Sequence, residues 1–484
     1  MARAELTAIT IERFKSYWKR TTLEVAPLTV LLGRNNSGKS TLIQALLLLK
    51  QTLEHPRGDV PLYLEGPVDA LGLRELTSGW PGEKAFDGPV LELTWESDVD
   101  VRSLMEAMIW RPSDEPFRDI EWLKESPRNV RLRTTMRIAY REDGGRIFVA
   151  QLHLQSVRVD GSGENRSANP SLSFTRTEAD AGGYEVQWKG KRASHESVEL
   201  TLDHFLPVYR IKPGFYDNWI PTWFEAYQVL YEQPLDALRA LLKGFSYLGS
   251  MRTLPPSIYR PASVPPAEIG VSGELAAQML HARRSSVVHY SPPLQIALDG
   301  SIKVPETIEA RPLVDAVNHV MAELGLSVPV RIEDIQNIGF RLLFGEASLQ
   351  HVGRGLGYLL PVVQLGLISD PRRFDAELGA STRDEYLKAL DAFAHVAMEE
   401  PETHLHPKVQ TRLAHWFVTL AMSGRRLIVE THSDHLIRRL RGLIARAEEG
   451  GALEQWLAKN VVIAEVVQDE HGYSELRCSR LTPE

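Results

Sequence analysis

The sequence predicts an α/β fold with a head drawn from both ends of the chain: a mixed sheet flanked by helices, an antiparallel sheet, and a helical arm inserted between the two halves. Three observations carry this. Near the start, the loop Gly33-Arg34-Asn35-Asn36-Ser37-Gly38-Lys39-Ser40 separates a buried-strand pattern at Val25–Leu32 from a helical period at Thr41–Leu53. Near the finish, the apolar runs Ala394–Met398 and Leu427–Val429 each end in acidic and polar residues, as strands of a parallel sheet do at the edge that holds a ligand. Between the two lie strand patterns, a helical pattern and a Pro-rich stretch. The expected division is 1–160 as the N-terminal half of the head, 161–327 as the inserted helical and irregular arm, and 328–484 as the C-terminal half.

Taken in order, Leu6–Ile11 alternates as a strand, and Pro56–Glu92 is dense in Gly and Pro, so it reads as turns and short strands. Val90–Trp95, Arg131–Tyr140 and Arg146–Val159 predict an antiparallel sheet. Residues 160–200, rich in Gly, Ser and Asn, predict exposed hairpins or a mobile loop. Trp219–Leu242 places Trp223, Tyr227, Leu230, Leu238 and Leu241 at helical spacing, which predicts the arm. Trp219, Trp223 and Tyr227 read as its core rather than as a base-stacking platform. No heptad run long enough for a coiled coil occurs. Pro255-Pro256 and Pro265-Pro266 exclude helix between Tyr247 and Glu274, while Leu275–Arg284 and Leu313–Leu324 return to helical period. Beyond about 328, strands and helices alternate, and Val461–Val467 with Ser474–Cys478 reads as a closing hairpin.

Composition narrows the class. With 484 residues, 43% hydrophobic and 24% charged, the chain is an ordinary globular protein of two to three domains. A net charge of −8 excludes a surface that is a nucleic-acid footprint throughout. The single cysteine, Cys478, excludes an internal disulfide and a Cys-Cys zinc pair. Apolar runs such as Leu46–Leu49 are too short to span a bilayer and the opening residues carry no signal-peptide core, so a cytoplasmic protein without a membrane partner is expected.

Gly33-x4-Gly38-Lys39-Ser40 satisfies the phosphate-loop pattern, in the strand–turn–helix context it needs. Its glycines let backbone N–H groups approach phosphates, Lys39 would reach the β and γ oxygens, Ser40 would ligate Mg²⁺, and the helix starting near Thr41 offers its positive end. A strand ending in Glu399-Glu400 would deliver two carboxylates with different tasks: Glu399 to hold Mg²⁺, Glu400 to polarise an attacking water. Glu430-Thr431-His432-Ser433 would place His432 at the end of a neighbouring strand, where an imidazole can donate to a γ-phosphate or hold the water. ATP with Mg²⁺ is therefore the expected ligand. A chance glycine turn, a solvated acidic turn and a structural histidine are the respective bland alternatives.

Asn35–Ser40, the opening Phe14-Lys15-Ser16-Tyr17, Glu399–Pro407 and Glu430–Asp434 together resemble the ABC-type P-loop ATPase heads of the RecF/SMC/OLD group. The resemblance extends to the PtuA/AriA-like AAA-family ATPases of bacterial anti-phage defence systems, which the middle segment Tyr247-Leu248-Gly249-Ser250-Met251-Arg252, with Gly270 and Gly273-Glu274, also resembles. It implies an enzyme that hydrolyses ATP between two heads, a head-to-head homodimer or higher oligomer, and a separate effector protein. It further implies that Val352–Pro361, including Gly353 and Gly355, completes the site of the partner head. Relatives carry a serine where this chain has Gly357, a departure that predicts slow turnover. A glycine-rich helix start without a role in the partner head is the bland reading of this stretch.

His404 and His406 with His395 lack a third ligand pattern for a metal, and the resemblance makes their segment a loop facing the partner head. The arginines Arg425, Arg426, Arg438, Arg439 and Arg441, with Arg252, Arg283 and Arg284, are a weak nucleic-acid signal without interleaved aromatics. Two rival functions follow. One is a RecF/SMC-like DNA-binding ATPase of repair or maintenance. The other is an OLD-like nuclease, for which the stretch after His432 is expected to be too short for a Toprim fold and an embedded site in 95–330 would need a cluster of acidic residues or histidines that the sequence does not show.

Overall fold

The computed structural model describes residues 4–102, 105–106, 127–159, 165–168, 170–180, 183–189, 191–192, 198–211, 226–326, 328–369, 381–388 and 393–482. Trp219 and Trp223 of the expected arm lie outside them. The chain forms two compact units: Met1–Glu24, Asn36–Gly244 and Val467–Leu476 make the first, and Val25–Asn35, Phe245–Val466 and Arg477–Glu484 the second.

In chain order, β1 (Ala4–Glu12) and β2 (Thr21–Glu24) precede β3 (Leu28–Gly33) and helix α1 (Lys39–Glu54). The first unit then builds β4 (Ala85–Asp100), β5 (Asn129–Asp143), β6 (Arg146–Val159), β7 (Asn165–Ala168), β8 (Leu172–Thr175), β9 (Glu185–Trp188) and β10 (Lys191–Arg192). These join β1 and β2 in an antiparallel sheet ordered β10-β9-β8-β6-β5-β4-β1-β2, with β7 also on β6. β5 buries every second residue along most of its length, the period-2 pattern of a sheet with one face covered. The cover is α1 together with α2 (Gln233–Lys243), which packs on α1, β1 and β4 and accepts a bond from Trp95 Nε1 at the Pro234 carbonyl (3.0 Å). The hairpin β11 (Val198–Asp203) and β12 (Leu206–Ile211) completes the unit's strands. The stretch expected as a helical and irregular arm is thus strand-rich in its first part among the described residues. Its polar composition reflects short hairpins that need turns more than they need core.

The second unit is centred on a sheet ordered β13-β22-β23-β3-β24-β25, where β13 is Ser246–Leu248, β22 Ala394–Glu399, β23 Arg425–Glu430, β24 Val461–Gln468 and β25 Ser474–Arg480. The first five strands run parallel. β22 and β23 are buried nearly throughout, as parallel strands covered on both faces must be. Helices α3 (Ala276–Ala282), α4 (Leu313–Glu323), α5 (Arg354–Ile368), α6 (Pro407–Met422), α7 (Asp434–Ile444) and α8 (Ala452–Asn460) share one continuous core with these strands. Smaller antiparallel pieces lie between: β14 (Val287–Tyr290) with β17 (Thr307–Pro312) and β21 (Ser381–Thr382), β15 (Gln295–Ile296) with β16 (Ile302–Lys303), and β18 (Val330–Ile335), β19 (Gly339–Phe344) and β20 (Ala347–Ser348). Among the described residues no helix is long and apolar enough to cross a membrane.

Candidate functional site

In the second unit three strands end together. Glu399 of β22 stands in register with Glu430 of β23, which stands in register with Leu31 of β3, so Glu399-Glu400, Thr431-His432 and Gly33-Arg34-Asn35 all leave the same edge of a parallel sheet. This is the carboxyl edge, where open α/β sheets bind ligands.

Glu399 is 6% exposed. Its two carboxylate oxygens take hydrogen bonds from the Tyr247 hydroxyl (2.9 Å) and the Ser250 N–H (3.3 Å), and Arg252 Nη2 donates to its main-chain carbonyl (2.8 Å). Burial pushes the Glu399 carboxyl above the usual range, and the Tyr247 and Ser250 donors together with the Arg252 charge pull it back. Burial also brings Arg252 down to about 10, still charged at neutral pH, and drives the Tyr247 hydroxyl well up beside the Glu399 carboxylate. Among the described residues, Arg252 Nε and Nη1 have no hydrogen-bond partner.

Glu400 sits in the left-handed region, φ 44°, a conformation that costs a residue with a Cβ about 1–2 kcal/mol. It is held there by its N–H donating to the Glu430 carbonyl (2.8 Å) and by Thr403 Oγ1 donating to Glu400 Oε2 (3.0 Å). The strain turns its carboxylate toward His432, whose Nε2 is 3.7 Å from Glu400 Oε1. Both side chains are about one-third exposed. A partly exposed carboxylate beside an imidazole can accept a proton from water while the imidazole donates elsewhere.

Glu402 is a site residue to which the sequence assigned no role. It is 6% exposed, and its Oε1 accepts from Thr431 Oγ1 (2.5 Å) and from the His432 N–H (2.8 Å), so it fixes the backbone that carries His432. Tyr247, Ser250 and Arg252 likewise gain a role here, as the residues that grip Glu399. Two residues past an acidic pair, Glu402 looks like one more solvated charge in the sequence. Only its burial against the end of β23 separates it from its neighbours.

In the first unit, Asn36-Ser37-Gly38-Lys39-Ser40-Thr41 carries the loop into α1. Asn36 (φ 58°) and Gly38 (φ 100°) are left-handed, the alternation that turns successive N–H groups into one concavity fit for an anion. Ser37 and Lys39 are buried (2% and 3% exposed), and Gly38 caps α1 without a competing side chain at the helix's positive end. These features fit a phosphate group. Glu399, an oxygen donor at a sheet edge, and Ser40, a hydroxyl in the first turn of α1, fit the hard donors that Mg²⁺ takes.

Gly353 caps α5, with open space where a side chain would go, and Gly355 packs so closely that a Cβ would lie 2.5 Å from the His404 carbonyl. Tyr358 stacks obliquely on His404 (5.1 Å between centroids). The glycine segment therefore lies against the Glu400–His406 loop of its own chain. Gly357 is buried, and a Cβ there would meet Pro255 at 3.1 Å, which leaves little room for serine. The three histidines separate: His395 is buried in β22 and lowered to about 3 by desolvation and the Arg426 charge, His404 faces Tyr358, and His406 caps α6 by accepting from the Lys408 N–H (3.3 Å). The arginine cluster also divides, since Arg425 is fully buried with bonds to the Ser423 and His289 carbonyls while Arg439 donates to His415 (2.7 Å).

Comparison with known proteins adds one match in sequence. Residues 5–88 and 391–437 are similar to the AAA ATPase domain family. No curated protein matches the chain. Among solved structures, an SMC head bound to the C-winged helix domain of ScpA aligns with a TM-score of 0.41 at 12% identity over 98% of both chains. The SMC head domain from Thermotoga maritima gives 0.35 at 10% identity over 99% of this chain and 100% of that one. An Smc head with an extended coiled coil, bound to the C-terminal domain of ScpA derived from Pyrococcus furiosus, gives 0.38 at 11% over 99% and 96%. The two matched stretches hold the glycine loop with most of β1 and all of α1, and the β22 and β23 ends with Glu399, Glu400, Glu402 and His432. Two stretches near opposite ends of the chain are thus similar to an AAA ATPase domain, and both contribute to the α/β fold described above.

Proposed function

We propose that this protein is an ABC-type ATPase that binds ATP with Mg²⁺, hydrolyses it slowly at an interface between two heads, and serves as the sensor or regulatory subunit of an anti-phage defence complex with a separate effector. The observation that carries the ATPase is the β3–β23–β22 edge, where Glu399, Glu400 and His432 emerge beside the strand that leads into the glycine loop. Mg²⁺ would neutralise charge on the phosphates and orient them. On this chain, the N–H groups of Asn36–Lys39 and the Lys39 ammonium bind phosphate, Ser40 and Glu399 hold the metal, Glu400 takes a proton from the attacking water, and His432 steadies that water. Gly353 and Gly355 at the start of α5 meet the nucleotide of the partner head. The defence role rests on the sequence resemblance.

The test is a fluorescent-ATP titration with steady-state turnover and light scattering. Lys39→Ala should abolish nucleotide binding. Glu400→Gln should preserve binding, slow hydrolysis at least tenfold and accumulate an ATP-dependent dimer, as removal of a general base predicts roughly 10²–10⁴ in rate. Unchanged turnover in Glu400→Gln removes Glu400 as the base. Cleavage of plasmid by the purified chain would favour a nuclease, and salt-dependent DNA binding strengthened by ATP would favour a DNA-maintenance role.

A further inference from the structure

Within the first unit the glycine loop does not stand by itself. The start of β25 and the turn before it lie against the loop, although more than four hundred residues separate them in sequence. Ser474, 4% exposed, donates from its hydroxyl to the Ser37 carbonyl (2.5 Å), and its N–H donates to the Ser16 carbonyl (2.9 Å). The Ser16 and Ser474 hydroxyl oxygens are 2.7 Å apart. The Ser474 hydroxyl is the donor toward both oxygens, so its one proton is shared between Ser16 Oγ and the Ser37 carbonyl. Gln468 Nε2 donates to the Asn36 carbonyl (3.0 Å) from the exposed side. Two consecutive carbonyls of the loop, those of Asn36 and Ser37, are thereby tied down from behind.

This arrangement has a direct consequence for the loop's N–H groups. A peptide unit is planar, so fixing the carbonyl of Asn36 or Ser37 fixes the direction of the next N–H, that of Ser37 or Gly38. Those are among the donors that would face a phosphate. Gly38 strengthens the case: a Cβ there would fall on the Ser474 and Ser16 hydroxyl oxygens, so the two serines occupy the space into which the loop would otherwise collapse.

We infer that Ser474, with Ser16 and Gln468, is a positioning residue for phosphate binding: it holds the glycine loop in its receptive conformation before nucleotide arrives. The inference rests on the nucleotide site proposed above. A preorganised cradle gains affinity by avoiding an ordering cost on binding. Losing the brace should therefore weaken binding while leaving the chemistry of the saturated site intact.

The experiment compares wild type, Ser474→Ala, Gln468→Ala and Lys39→Ala by fluorescent-ATP titration, with KM and kcat for ATP measured on the same proteins. Ser474→Ala should raise Kd and KM roughly fivefold to tenfold, the effect of one buried neutral hydrogen bond with its partner, at unchanged kcat. Gln468→Ala, at an exposed position that does not threaten folding, should raise both about twofold to threefold. If Ser474→Ala does not fold, Gln468→Ala decides. Wild-type Kd in the variant that folds overturns the brace, as does a fall in kcat at constant KM. Failure of wild type to bind, or binding retained by Lys39→Ala, would instead overturn the nucleotide site itself.

Discussion

Glu402 offers the sharpest test of how the histidine is placed. Replacing it by alanine removes two hydrogen bonds into a carboxylate, from Thr431 Oγ1 (2.5 Å) and the His432 N–H (2.8 Å), in surroundings where Thr431 is fully buried. Bonds to charged groups contribute about 1.5–3 kcal/mol each, which gives a loss of about 3–6 kcal/mol. Against that stands the other oxygen, Oε2, which is buried without a partner among the described residues and whose removal relieves about 1–3 kcal/mol of desolvation. The net expectation is a loss of about 2–3 kcal/mol. The bond from the Ser433 N–H to Thr431 Oγ1 (3.0 Å) would be disturbed too, so the damage runs along the start of α7. Glu402→Gln keeps a carbonyl acceptor and removes the buried charge, and it should lose about 1 kcal/mol. Urea unfolding followed through the buried Trp416 of the same unit measures both variants. Turnover should fall with Glu402→Ala because the His432 backbone is released. An alanine variant with the wild-type urea midpoint and slope, or one less affected than glutamine, would refute the assigned role.

Three further expectations follow from the same structure. Tyr247→Phe removes one donor to Glu399 and should raise the Mg²⁺ concentration needed for half-maximal nucleotide binding roughly tenfold, the scale of effects from groups that orient a metal ligand; a midpoint that does not move would show that Tyr247 merely packs. Gly357→Ser presses on Pro255 from 3.1 Å, so overpacking should exceed the gain in helix propensity and leave the protein about 1 kcal/mol less stable by urea titration, and a more stable variant would contradict this. His395 and His415, lowered by burial and by Arg426 and Arg439 to about 3 and about 4, stay neutral in the fold while the unfolded chain takes up protons below 6.5. Stability is therefore complete above about pH 6.5 and should decline by about 1.4 kcal/mol per pH unit per histidine below it. Urea midpoints equal at pH 7 and pH 5 would show that one or both rings protonate freely in the fold.

The parts of the site that the sequence makes legible are those where local pattern and chemistry coincide. Gly33 to Ser40 needs a strand before it and a helix after it, and both periodicities are strong enough to read. Glu399 follows the apolar run Val396–Met398 and His432 comes three residues after Leu427–Val429, runs of the kind that a strand buried on both faces requires. Glu402, Tyr247, Ser250 and Arg252 are different. Their roles come from burial and from partners far along the chain: Tyr247 and Glu399 meet because β13 lies parallel to β22, a pairing of a three-residue strand with no periodic signal of its own. The short strands β7 to β10 fall where Gly, Ser and Asn suggest hairpins, but the sheet they join is not legible, because its register is set by β4, β5 and β6.

Gly357 stands where the resemblance leads one to expect serine, and its surroundings give a physical account of the glycine. As an isolated substitution it suggests a lost contact to nucleotide. In the fold, Pro255 crowds the place where the side chain would project, and that proline belongs to the Pro-rich stretch following the Tyr247–Arg252 segment that grips Glu399. The glycine and the proline therefore sit in tight contact, and the segment that grips Glu399 continues into a proline packed against the helix that bears Gly353 and Gly355. A push on the start of α5 has a short mechanical path to Glu399, through Pro255 and Arg252.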